Sequence, residues 1–275
     1  MKDIRLGIVG LGRLGSIHAE NILNKIKGGK LIAACSLNNN ELIQIKNRIN
    51  RIKCYNDFNE MINTCQLDGV IIVSSSDQHC KHSMIALKKG LHVFCEKPLG
   101  TNLNECLKIK KLVNSQKDLI FMLGFMRRYD PSYIYLKKKV DEGLIGTPIL
   151  FRGYSVDPES LILNSIKYAK NSGGQFLDMA IHDIDLSRWI LKSEPKTIYS
   201  LGGCFAHPEF YKYNDGDNVA SLMQFNNGCM VFFLAGRTAS HGYNVETEII
   251  GTKATIKISS APQKSTVQIL DNKEI

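Results

Sequence analysis

Three short segments of this sequence hold residue types that could do chemistry. Gly10-Leu11-Gly12-Arg13-Leu14-Gly15 spaces its glycines as G-x-G-x-x-G. Glu96-Lys97-Pro98 sets a carboxylate beside an ammonium ahead of a proline. Gly173-Gly174-Gln175-Phe176-Leu177-Asp178-Met179-Ala180-Ile181-His182-Asp183-Ile184-Asp185 carries an acid and a histidine four residues apart. In the first segment Gly10 permits a tight turn and Gly12 lets a pyrophosphate approach the backbone. Gly15 lets a helix pack closely on the strand before it. Arg13 and Leu14 open that helix, whose N-terminal N–H groups suit a phosphate. The glycine spacing alone is weak and also marks plain tight turns; its place between a strand and a helix gives it mechanical sense.

The other two segments suit proton transfer during oxidation of a secondary alcohol. That reaction removes the hydroxyl proton while hydride leaves carbon for a nicotinamide. A histidine takes such a proton near neutral pH, and a carboxylate fixes its tautomer and raises its basicity. On a helix, Asp178 and His182 lie on one face about a turn apart, and Asp185 continues that face. Lys97 supplies positive charge for the developing alkoxide. Each of these residues taken singly reads as an ordinary surface side chain; together with the glycine loop they read as catalytic. A cation site built from Asp178, His182, Asp183 and Asp185 is disfavoured, because Asp183 lies on another face and no second histidine cluster accompanies it. His79-Cys80-Lys81-His82 reads as a helix start, and no metal is expected.

The elements that must position these residues follow from apolar patterning. Ile4 to Val9, Leu31 to Cys35, Val70 to Val73, His92 to Cys95 and Ile120 to Leu123 read as strands. Helical patterns run from Arg13 to Ile26, Glu41 to Arg48, Gln78 to Lys89 and Leu103 to Ser115. Such alternation over about 120 residues predicts a doubly wound parallel sheet, an α/β Rossmann domain over 1–125. At the end of the second strand, where an acidic residue usually binds the ribose 2′-hydroxyl, the chain reads Cys35-Ser36-Leu37-Asn38. Ser36 either hydrogen-bonds that hydroxyl or leaves room for a 2′-phosphate. NAD is the expected cofactor, and NADP stays open, with Lys46 and Arg48 farther along the chain.

Beyond Arg127 the pattern changes. A helix with proline at its start is predicted from Pro131 to Glu142, and a long helix from Gln175 to Leu191. Strands are expected at Pro148 to Val156, Thr197 to Cys204, Val219 to Phe225, Cys229 to Leu234, Val245 to Ile250, Ala254 to Ile258 and Thr266 to Leu270. Asn226-Asn227-Gly228 is a hairpin turn signal. These elements make a C-terminal α+β domain over 126–275 with a mostly antiparallel sheet, expected to be the substrate-binding and catalytic domain.

Composition bounds the remaining possibilities. The chain has 275 residues, 44% of them hydrophobic, and a formal charge of +9 from 35 basic and 26 acidic residues. The lysines are scattered and no aromatic residues interleave with them, so a solvated surface is expected and not a nucleic-acid platform. No apolar run of membrane-spanning length occurs, and the N-terminus lacks a secretory pattern, which together predict a cytoplasmic protein. Eight cysteines without a Cys-x-x-Cys pair read as reduced thiols.

The combination of Gly10 to Gly15 with His18, Glu96-Lys97-Pro98 and Gly173 to Asp185 resembles the Gfo/Idh/MocA oxidoreductases over nearly the whole chain. Phe125-Met126-Arg127-Arg128-Tyr129-Asp130-Pro131-Ser132-Tyr133 and Phe176 to Asp185 are similar to its inositol 2-dehydrogenase branch. The resemblance implies a catalytic set of Lys97, Asp178 and His182, with His182 as base. It implies that Glu96 and Lys97 sit near the nicotinamide, that Ser74, Ser75 and His79 line the dinucleotide, and that Arg127 faces the cofactor–substrate junction. Asp157, Asp185 and Tyr243 become candidates to bind polyol hydroxyls. The implied reaction is oxidation of myo- or scyllo-inositol; another sugar or polyol dehydrogenase, or a non-catalytic sensor, is the alternative. A homo-oligomer, tetramer or dimer, formed through the open sheet face is expected. Ser36 departs from the aspartate of many NAD-using members. The chain stops at Ile275, straight after a strand, where members usually continue through a helix and a strand, so a shortened chain is expected.

Overall fold

A computed structural model describes residues 3–259. The chain divides between Gly124 and Phe125 into two compact units. The first contains β1 (Ile4–Val9), α1 (Arg13–Asn24), β2 (Gly29–Cys35), α2 (Asn39–Arg48), β3 (Lys53–Tyr55) and α3 (Phe58–Thr64). It continues through β4 (Gly69–Ile72), α4 (His79–Lys88), β5 (His92–Cys95), α5 (Leu103–Ser115) and β6 (Phe121–Leu123). The six strands are parallel in the order β3-β2-β1-β4-β5-β6. That is the doubly wound order, whose direction reverses between β1 and β4, and ligands of such sheets bind at the carboxyl ends beside the reversal.

Burial on both faces explains why these strands read as continuous apolar runs. Neighbouring residues Ile8 and Val9 face opposite sides. Ile8 joins Ala19, Ile22, Leu31, Leu42 and Ile45, whereas Val9 joins Ala33, Met61, Ile72 and Val93. Helices α2, α3 and α5 begin at Asn38, Asp57 and Asn102, each accepting a backbone N–H. Helix α1 begins at Gly12 with no side-chain cap. β3 and α3 escaped the sequence reading because three residues of strand and seven of helix are too short to show a period.

The second unit holds α6 (Pro131–Asp141), β7 (Pro148–Pro158), α7 (Ile162–Ser172), α8 (Ile181–Leu191), β8 (Pro195–Gly203), β9 (Asn218–Phe225), β10 (Met230–Ala239), β11 (Asn244–Gly251) and β12 (Thr255–Ser259). Its sheet runs β12-β11-β7-β10-β9-β8. β7 and β10 pair in parallel and the other neighbours are antiparallel. One sheet face packs Phe151, Met223, Val231, Phe233 and Ile249 against Leu136, Leu186 and Ile190 of the helices. The β9–β10 hairpin turns at Gly228, whose φ of 85° a side chain would resist.

Two features of this unit depart from the sequence reading. α7 lies where no helix is expected; it ends at Gly173 in the left-handed region. The helix expected over Gln175 to Leu191 is two pieces, a π-helical turn at Phe176–Ala180 followed by α8. The strand expected at Thr266 to Leu270 lies outside the described residues. Among the described residues no helix is long and apolar enough to cross a membrane, and the cysteines described are free thiols. Burial pushes the Cys35, Cys80 and Cys95 thiols up to about 12, which leaves them inert.

Candidate functional site

The glycine loop is built as its spacing demands. Gly10 has φ of 87°, and a Cβ there would stand 2.3 Å from the Val73 carbonyl oxygen. A Cβ on Gly15 would stand 1.9 Å from the Gly10 carbonyl oxygen, so helix and turn can close only on glycine. At Gly12 a Cβ would meet nothing within 4 Å. Gly10 and Gly15 therefore shape the turn, while Gly12 opens onto space above uncapped N–H groups of α1, where Arg13 and Leu14 lie exposed. An open cradle at a helix N-terminus fits a dinucleotide pyrophosphate. The Gly10 N–H donates to the Cys35 carbonyl at 2.9 Å and fixes the loop to the end of β2.

Around the end of β5 the expected residues form a linked set. Glu96 Oε1 lies 2.8 Å from His18 Nε2, and Glu96 Oε2 accepts the Lys97 backbone N–H at 3.2 Å. Lys97 is half-buried. His79, only 2% exposed, lies between two carbonyl oxygens, Pro98 at 2.7 Å and Ser74 at 2.8 Å. It thus ties the end of β4 to the Glu96-Lys97-Pro98 segment as a strut. The Ser74 hydroxyl is 2.9 Å from His82 Nδ1. Burial pushes His82 down to about 4, so its ring is neutral at physiological pH. Ser75 starts the turn leading into α4, its carbonyl accepting the Gln78 N–H.

In the second unit Gly173 and Gly174, both at positive φ, turn the chain into the π-helical segment. Asp178 sits in that segment, and its backbone N–H donates to the Gly174 carbonyl. Its carboxylate accepts from Arg237 at 3.3 Å. Arg237 is 1% exposed, donates also to Asp215 at 3.0 Å, and lies 4.7 Å over the Phe210 ring. Asp215 in turn accepts the Gln175 N–H at 2.7 Å, so this cation holds the start of the segment as well as its acid. His182 follows in the first turn of α8, half-buried, with the Phe125 ring edge-on at 6.4 Å.

A second network fixes α8 from below. Arg127 donates to Asp183 at 3.1 Å and to Ser155 at 2.9 Å, and Ser155 donates to Asp183 at 2.5 Å. Asp183 is fully buried, and burial raises its carboxyl against the lowering effect of Arg127 and Ser155. Gly153 makes room for it, because a Cβ there would come within 2.7 Å of its oxygen. Asp185, 5% exposed, takes a two-point grip from Arg128 at 2.8 and 2.6 Å. The structure thus gives Arg127 and Asp185 intramolecular partners. Asp157 lies half-buried near the end of β7, and Tyr243 stands exposed before β11. Among the described residues no group of three or more His, Cys, Asp or Glu side chains is placed to hold a metal ion.

Arg237, Asp215 and Ser155 had no assignment from sequence. Arg237 did leave a signal, an arginine closing the apolar run Met230 to Gly236, where a charge needs a partner.

Residues 4–125 match the family described as an oxidoreductase family with NAD-binding Rossmann fold, and residues 133–257 match the GFO/IDH/MocA C-terminal domain. The chain belongs to the Gfo/Idh/MocA oxidoreductases. It is 34% identical over 270 residues to a myo-inositol 2-dehydrogenase of Thermotoga maritima, covering 98% of this chain and 78% of that one. It is 32% identical to the NAD-dependent scyllo-inositol 2-dehydrogenase of Bacillus subtilis, over 94% of this chain and 74% of the relative. A crystal structure of scyllo-inositol dehydrogenase from Lactobacillus casei, with bound NAD(H) and scyllo-inositol, aligns at a TM-score of 0.90 with 43% identity. That alignment covers 98% of this chain and 79% of the other. The Gfo/Idh/MocA assignment accounts for the parallel unit as the NAD-binding fold and for the mixed sheet as the family's C-terminal domain.

Proposed function

We propose that this chain is an NAD-dependent inositol dehydrogenase that oxidises one ring hydroxyl of myo- or scyllo-inositol to a ketone. The observation that carries this reading is the likeness, over nearly the whole chain, to an inositol dehydrogenase described with both cofactor and scyllo-inositol bound. NAD, when bound at the Gly12 cradle, supplies the hydride acceptor. His182 takes the hydroxyl proton, Asp178 holds the imidazole in the accepting tautomer, and Lys97 stabilises negative charge on the oxygen. Arg237 holds Asp178 in place for that duty. Asp157 and Tyr243 stand as contacts for the remaining ring hydroxyls. Arg127 and Asp185 act through the networks that hold α8.

The test is direct. Purified protein is mixed with NAD and, separately, myo-inositol, scyllo-inositol or glucose, and reduced nicotinamide is followed by absorbance. Turnover with an inositol that disappears in His182→Ala supports the reading. Turnover with glucose alone moves the substrate to another polyol, and cofactor binding without turnover favours a sensor.

Self-association belongs to the same reading. On the sheet face away from the helices, Tyr199 pairs with Leu222 and Leu222 with Phe232, giving an apolar row across three strands. Tyr199 and Leu222 are 66% and 52% exposed. Light scattering should report an oligomer that Leu222→Glu dissociates; a monomeric parent would refute this part.

A further inference from the structure

We propose that Glu41 reads the adenosine ribose and sets the preference for NAD over NADP, an inference that rests on the NAD reading above. In dinucleotide sites an acidic residue at the end of the second strand accepts the ribose 2′-hydroxyl. Here that position is Ser36, which carries no charge. The fold brings a carboxylate to the same place from the first turn of α2. The buried Ser36 hydroxyl donates to Glu41 Oε2 at 2.6 Å and accepts the Asn38 N–H at 3.0 Å. A hydroxyl has one proton to give, and Glu41 already receives it. Ser36 is therefore a bracket for the acid, and Glu41 supplies the charge that meets the ribose hydroxyl.

Three further observations place that acid beside the cofactor cradle. Glu41 lines a cleft together with Leu11 of the glycine loop and Ser16 of α1. The loop is fixed to the end of β2 by the Gly10–Cys35 hydrogen bond. Asn56 donates both to the Ser36 carbonyl and to Asn39 at 2.9 Å, clamping the turn that leads into α2. The charge around this point is unfavourable to a phosphate. Arg48, the arginine of the same cleft, is paired with Glu20 at 3.0 Å. Asp57 and Glu60 add negative potential at the Cys35 end of the strand, secondary to burial in raising that thiol. A 2′-hydroxyl can donate to the Glu41 carboxylate, whereas a 2′-phosphate would face it as a like charge.

Calorimetric titration of the polyol-free protein with NAD⁺ and with NADP⁺ tests this, in the parent, Glu41→Gln and Ser36→Ala. The parent should bind NAD⁺ the more tightly. Glu41→Gln should weaken NAD⁺ about tenfold, as expected for losing one charge-assisted hydrogen bond, and should tighten NADP⁺. Ser36→Ala keeps the charge and loses the bracket, so NAD⁺ should weaken severalfold while NADP⁺ stays excluded. Melting of the unliganded variants separates binding loss from unfolding. If Glu41→Gln does not fold, the Ser36→Ala titration decides. Unchanged affinities in a folded variant, beside a parent that prefers NAD⁺, overturn the role of Glu41 alone. A parent that prefers NADP⁺, or binds neither dinucleotide, overturns the cofactor reading and this inference together.

Discussion

The two functional regions of this molecule are constructed from different materials. The nucleotide cradle is made of backbone: Gly10 and Gly15 sit where no Cβ fits, Gly12 leaves open space, and the uncapped start of α1 supplies the donors. The region around Asp178 and His182 is made of charged and polar side chains brought from the turn before α6, from β7 and β10, and from the loop before β9. Arg237 is buried between Asp178 and Asp215, and the half-buried Arg127 lies between Asp183 and Ser155. A backbone site depends on a few adjacent residues, and its shape fails sharply where no Cβ fits, at Gly10 and Gly15. A site held by buried charges depends on distant partners, and losing one leaves the others desolvated.

Substitutions at the two regions should therefore separate chemistry, stability and binding. The largest effect is expected at His182→Ala, where turnover should fall by about 10²–10⁴-fold, the range for removal of a general base. NAD⁺ affinity should hold, and a parallel loss of affinity would break the division of labour. Next comes Arg237→Met, which strands two carboxylates and should cost about 3–5 kcal/mol of stability in urea unfolding. An unchanged midpoint would show that Asp178 and Asp215 do not need the cation. Gly12→Ala should be gentler: its Cβ has room, so the melting temperature stays, while NAD⁺ binding weakens about tenfold, or about 1.4 kcal/mol. Loss of fold at Gly12→Ala would move this glycine into the same class as Gly15.

The effect smallest at neutral pH appears only on acidification. His82 titrates near 4 when folded, against 6.5 for an ordinary imidazole, because burial disfavours its charged form. Between those values the unfolded chain binds the proton and the folded one does not, so stability rises with pH across that window. The contribution is complete above pH 6.5 and is lost as pH falls toward 4. His82→Gln should flatten that part of the stability profile, and an unaltered slope would assign the acid sensitivity to other groups.

The legibility of the two regions in the sequence differed for the same reason. Glycine spacing is local, so the roles of Gly10, Gly12 and Gly15 follow from the order of residues alone. Parallel strands buried on both faces read as apolar runs, which made β1, β2, β4 and β5 plain. The π-helical turn is not visible in the sequence, because a change from α to π pitch over five residues leaves the apolar pattern nearly intact. Ser36 could be seen to lack a charge, but the carboxylate that reaches it comes from α2, five residues on, through a hydrogen bond that no strand pattern encodes.

What the sequence by itself determined was the longer elements, the glycine turn and the presence of Lys97, Asp178 and His182 in family-like order. Those depend on neighbours along the chain, through backbone sterics and apolar periodicity. Only the tertiary structure decided which charges are paired. Arg237 meets Asp178 across 59 residues, Arg127 meets Asp183 across 56, and Arg128 meets Asp185 across 57. A buried ion pair is set by which strands and helices the fold brings within hydrogen-bonding reach, and sequence separation carries no trace of that distance.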